Sequence, residues 1–180
     1  MRVQLVRIVR DWLESGNGGA DSVSALLSAV PRESGDAAPP VPAFDDETQD
    51  GFMARGKATP DGATYPALCV WCDGPLTRDA ATNMPHEEVR GRVVVAYLAR
   101  DVGSEAALRR GDYVLRAAQR SVHRLNRETV AAAAARTRGE TYLEAITASE
   151  MRGSDAMSDD VWITGAFVCD VVLRDTKPEG

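Results

Sequence analysis

The sequence predicts an α+β fold: a mostly antiparallel four-stranded sheet with one long helix and a short N-terminal helix pair packed on it. Three observations point there. Four segments alternate apolar residues with a period of two. Residues 104–128 repeat them at spacings of three and four. The order α, short α, long loop, β, β, α, β, β then places the strands in two hairpin-like pairs around the long helix.

Residues 2–14 open the chain as an amphipathic helix, with Val6, Val9 and Leu13 on one stripe and Leu5 and Trp12 beside it; "SGNGG" at 15–19 stops it. Asp21 or Ser22 caps a brief second helix, "SVSALLSAV", which Pro31 ends. From 32 to 64 the chain turns rich in Pro, Gly and Asp and loses periodicity, which predicts a long loop with a short strand near 51–55.

"YPALCVWCDG" reads as an inner strand, because both of its faces are apolar. Leu68, Val70 and Cys72 point one way, Ala67, Cys69 and Trp71 the other, and Asp73–Gly74 signals a turn. After the loop "PLTRDAATNMPHE", residues 88–101 form a second strand, with Val93, Val95 and Tyr97 opposite Val94, Ala96 and Leu98. Ser104 caps the long helix, whose stripe is Leu108, Gly111, Leu115, Ala118, Val122 and Leu125. "TVAAAAARTRG" extends that helix or makes another short one, with Gly139 as the stop. Residues 140–151 follow as a strand, with Tyr142, Ile146 and Ala148 on one face and Leu143 and Ala145 on the other. Past the loop "RGSDAMSDD", Val161, Ile163, Phe167, Cys169, Val171 and Leu173 give the last strand a complete core face. Residues 175–180 read as a disordered tail.

A chain of 180 residues fits a single domain with a real core, and an apolar share of 44% suits a globular protein. The net charge of −6, with a pI near 5.0, argues against a general nucleic-acid binder, whose affinity rests on neutralising phosphates, while leaving room for a local basic face. Three cysteines are an odd number and argue against a secreted disulfide framework. The first residues, interrupted by Arg2, Arg7, Arg10 and Asp11, contain no signal-peptide core, and the longest apolar run, at 130–135, is too short to span a bilayer. A soluble protein made in a reducing cytoplasm is expected.

Cys69 and Cys72 have the spacing of a redox pair or half a zinc site. A zinc site needs two further ligands, and the chain offers only His86, His123 and Cys169. A redox pair normally starts at a helix N-terminus; at i and i+3 of a strand the sulfurs diverge, so inert buried thiols are the expectation. His123 sits between arginines with no acid in reach, and His86, in a loop beside Glu87 and Glu88, lacks a nucleophile to serve. No phosphate-binding glycine loop or nucleophile elbow occurs, so the chain is not expected to be an enzyme or to carry a cofactor or metal.

Arg109, Arg116, Arg120, Arg124 and Arg127 crowd the polar side of the long helix, with Arg116, Arg120 and Arg124 stacked at i, i+4, i+8. Like charges at this spacing repel by a few tenths of a kcal/mol per pair. Three readings stay open: a solvated face with counter-charges from loops, a subunit interface meeting a neighbour's acids such as "FDDETQD", or contact with passing DNA. The acids of that stretch, Asp45, Asp46, Glu47 and Asp50, lack the ligand spacing of a calcium loop and read as solvated or partner-facing.

The run "VRIVRDWLESG", "SALLSAVP", a Pro-rich passage and "YPALCVWCDG" resembles tail terminator proteins of long-tailed bacteriophages. So do "EVRGRVVVAYLARD" leading into "ALRRGDYVLRAAQRSVHRLN" and the closing "VWITGAFVCDVVLRD". The likeness spans most of the chain and is one of architecture, without a diagnostic motif. It implies a structural virion protein: a ring, typically a homohexamer, at the head-proximal end of the tail tube. Such a ring ends tube polymerisation and docks the tail to the head-completion or connector protein, with DNA passing through its lumen. The long 32–64 loop and the extra length in "ETVAAAAARTRGE" depart from the family's usual pattern. Alternatives are another neck or head-completion (stopper) protein, a small metal or redox protein around Cys69, Cys72 and His86, and a monomeric ligand-binding α+β domain.

Overall fold

The computed structural model describes residues 2–46, 48, 50–52, 65–79, 86–100, 104–133, 142–156 and 162–176. Helix α1 (Arg2–Ser15) buries Leu5, Val6, Val9 and Leu13, the predicted stripe. It gives way to a 3-10 turn at Gly16–Gly19. A Cβ on Gly16 would lie 2.7 Å from the Trp12 ring, so the chain can double back under that indole only with glycine there. Helix α2 (Val23–Leu27) is capped by Ser22, whose hydroxyl accepts from the Ala25 N–H at 3.2 Å.

The sheet has five strands where four were expected, and it is mixed. The additional strand is β1 (Ala43–Asp46), inside the expected long loop and parallel to β2 (Ala67–Asp79). Four residues show no alternation of their own; β1 is held by the open edge of β2, with Ala43 N–H bonded to the Pro66 carbonyl at 2.8 Å. The short strand expected near 51–55 is not formed where the chain is described, because residues 50–52 make a helical turn; 53–55 lie outside the described residues. β3 (His86–Arg100), β4 (Tyr142–Ala156) and β5 (Trp162–Thr176) complete the antiparallel part, in the order β1-β2-β3-β5-β4. β2 is therefore an inner strand, as its two apolar faces imply.

The strands run further than expected. Asp73–Gly74 is a bulge and not a turn: β2 loses register with β3 between Asp73 and Thr77, Gly74 takes a φ of +74°, and pairing resumes to Asp79. Part of "PLTRDAATNMPHE" is thus strand, and His86 opens β3. β4 continues through residues 152–156, which were expected in a loop, and β5 reaches Thr176, inside the expected tail; 177–180 lie outside the described residues. The predicted faces of β4 also change. An extra residue between Leu143 and Ala145 breaks the alternation, so Leu143 and Ile146 share the core face.

Helix α3 (Glu105–Ala133) starts at Ser104, which accepts from Ala107 N–H at 3.2 Å, and runs past 128 as one helix; Gly139 lies outside the described residues. All three helices cover one face of the sheet. There Leu68, Val70, Val93, Val95, Tyr97, Phe167, Cys169 and Val171 meet Leu5, Val9, Leu13, Val114, Leu115, Ala118 and Val122. Full burial of such side chains contributes about 1.5–3 kcal/mol each, which makes this the main stabilising layer. The opposite face divides in two. Toward one end, Ala67, Cys69, Trp71, Val94, Ala96 and Leu98 form a second apolar cluster, with the Phe52 ring 5.1 Å from Trp71. Toward the other, Arg90, Arg92 and Arg174 pair with Glu88, Asp170 and Glu144 at 2.6, 3.3 and 2.6 Å.

Candidate functional site

Helix α3 presents its arginines to very different surroundings. Arg109 grips Asp36 with two donors, at 2.9 and 3.0 Å, and reaches Glu105 at 2.8 Å. Tyr113 donates to the same carboxylate at 2.7 Å while its oxygen accepts from the Glu33 N–H at 3.0 Å. The Arg109 guanidinium, helped by Tyr113, holds the Asp36 carboxyl below the usual carboxylate range. The first part of the expected loop is thereby clasped onto the helix.

One face further along, Arg124 pairs with Asp21, and the Arg120 guanidinium donates to the Ala29 carbonyl at 3.1 Å, just past α2. Arg124 lowers the Asp21 pKa against the opposing pull of burial, with Asn17 also donating to that carboxylate at 3.1 Å. Ser121, fully buried, donates to the Asp21 carbonyl at 2.6 Å and accepts from the Trp12 indole on its own carbonyl at 2.9 Å. Arg124 thus holds the α1–α2 connection to α3, and Arg120 holds the segment just past α2. Arg116 and Arg127 are exposed, and neither forms a hydrogen bond or ion pair among the described residues. The four candidate arginines therefore divide into two that brace the fold and two that face outward.

Between α3, the end of α2 and β4 lies a groove of about 660 Å³. Arg116, Arg120, His123, Arg124 and Arg127 form its rim, and Leu26, Ala29, Ile146 and Ala148 its apolar floor. Asn126 accepts from the Ile146 N–H at 2.9 Å, fixing the helix against the strand at this point. The groove can take a ligand that offers negative charge above and apolar surface below.

The acidic candidates lie at the other edge of the sheet. Asp45 and Asp46 belong to β1, which is an edge strand and not a loop, and Asp50 is exposed on the 50–52 turn. Glu47 lies outside the described residues. Asp46 is paired to Arg10 at 2.7 Å, with Arg7 at 4.0 Å, so α1 already offsets part of its charge.

The thiols follow the strand geometry. Cys69 is buried in the far-face cluster, while Cys72 and Cys169 lie on the helix-covered face with Val93 in register between them. Burial pushes the Cys169 thiol up to about 12 and raises that of Cys72 as well, the opposite of an activated thiolate. Among the described residues no three His, Cys, Asp or Glu side chains come together as a metal site. His123 is exposed on the groove rim. His86 begins β3, and its role as a base with Glu87 or Glu88 lies outside the described side chains.

Asp36, Tyr113, Ser121 and Asn126 shape this region and went unnoticed in the sequence, and Asp21, read there as a candidate cap, pairs instead with Arg124. Each makes its key contact with a residue far along the chain, so no local spacing signals it. A scan against protein-family models finds no match, and a search of curated proteins finds none.

Proposed function

We propose that this chain is a structural, non-catalytic virion subunit: a tail terminator that forms a ring at the head-proximal end of a long-tailed phage's tail tube. It ends tube polymerisation there and docks the tail to the head connector. The observation that carries the reading is the placement of two unlike patches on opposite sheet edges. Arg116 and Arg127 stand exposed over β4, while Asp45, Asp46 and Asp50 sit at or beside β1. A closed ring requires a heterologous contact, in which one patch meets a different patch on the next copy. Charge complementarity suits such docking. The α+β layering, with helices on one sheet face, agrees with the element order that carries the family resemblance.

The test is to mix purified protein with the tail tube protein of the same genome and image the products by electron microscopy. Tubes of limited length with a ring at one end are expected. Tubes that grow unchanged beside a monomeric protein would defeat the reading, and rings that bind the head connector but ignore the tube would reassign the chain to head completion.

A further inference from the structure

We infer that the groove between α3 and β4 receives the acidic edge of a second copy of this chain, residues 41–46 through β1 together with Asp50. This deepens the proposed function and rests on its claim of self-association.

Two properties of the groove select the occupant. Its rim carries Arg116, which makes no hydrogen bond or ion pair among the described residues, and Arg127, whose charge is only partly offset by Asp21; its floor, Leu26, Ala29 and Ile146, is apolar. A phosphate backbone would satisfy the rim and leave the floor wet, and the net charge of −6 opposes its approach. A peptide segment bearing both acid and apolar side chains matches both parts. Among the described residues the exposed large apolar side chains are Val3 and Val41. Val3 neighbours the cation Arg2, whereas Val41, 53% exposed, leads directly into Asp45, Asp46 and the turn at Asp50.

The segment cannot reach its own groove, because β2, β3 and β5 separate β1 from β4. Three intervening strands place the two edges roughly 19 Å apart at about 4.8 Å per step. A second copy must supply it. Since Asp46 is engaged by Arg10 at 2.7 Å and Asp45 has an interaction of its own, the substitution falls on Asp50.

Sedimentation velocity on the full chain, at low and at moderate salt, is the experiment. Arg116→Glu and Asp50→Lys should each weaken self-association on the order of tenfold, and the two substitutions combined should restore it. Added salt should weaken the wild type. Arg116 and Asp50 are both exposed, so neither substitution should lower the melting temperature. Unchanged association in either variant, or loss in both without restoration, overturns the inference. If those variants associate normally and still stop tube growth, the docking mode falls and the proposed function stands. A wild-type chain that stays monomeric and leaves tubes untouched removes both.

Discussion

In the part of α3 before Leu115, Arg109 is locked between Asp36, Glu105 and the Tyr113 clasp; in the longer part after it, Arg116 and Arg127 look out over an open groove. The side chain is the same and the consequence opposite. One part uses its cation to order a loop of its own chain, and the other leaves two cations for something outside it. Arg120 and Arg124 fall between, facing the groove while bound to the Ala29 carbonyl and to Asp21. A count of basic residues on a helix therefore does not locate an interface. Asking which of them already have partners does.

The contrast can be broken most forcefully where the two parts meet. Leu115 is fully buried between them, and Leu115→Ala should cost about 2–5 kcal/mol, measured by denaturant titration, because both parts share one core. A smaller loss isolated to one part would mean they fold separately. Next, Gly16→Ala crowds the Trp12 ring and should loosen its bond to the Ser121 carbonyl, at a cost of about 1–3 kcal/mol. Tryptophan fluorescence should shift with it; an unmoved spectrum and stability would show that the longer part does not depend on α1.

Asp36→Asn probes the shorter part more gently. The Asp36 pKa is lowered by Arg109 and Tyr113, so its stabilisation is present above the ordinary carboxylate range and is lost as pH falls through the lowered value. The variant should melt earlier at neutral pH and lose less on acidification than the wild type; parallel curves of melting temperature against pH would refute the clasp. Smallest of all, Arg116→Glu should leave stability within about 0.5 kcal/mol, since this side chain makes no hydrogen bond or ion pair among the described residues. A larger loss would erase the distinction between the two parts.

The faces of β2, β3 and β5 were legible because each strand is long, apolar on both sides and regular in its alternation. The caps at Ser22 and Ser104 were legible because they are local. β1 was not, since Ala43–Asp46 is too short to show a period and follows Pro39, Pro40 and Pro42; it exists through pairing with β2. The bulges at Gly74 and beyond Leu143 misled in complementary ways, one reading as a turn and the other reversing a face. Of the candidate interface, the charges were visible in the sequence and their partners were not. Asp21, Ala29 and Asp36 reach the arginines only once α3 lies across the sheet.

The strand order has a consequence for how the chain can assemble during synthesis. β5 follows β4 in sequence but lies between it and β3, pairing with both along much of its length. Until β5 emerges from the ribosome, β4 has no strand to join and β3 has one bare edge. The sheet can close only by a late insertion between two waiting partners, joining residues as distant as Val93 and Cys169. Topologies with such non-local pairing fold slowly, and a chain cut short before Phe167 would leave α3 with a detached strand beneath it.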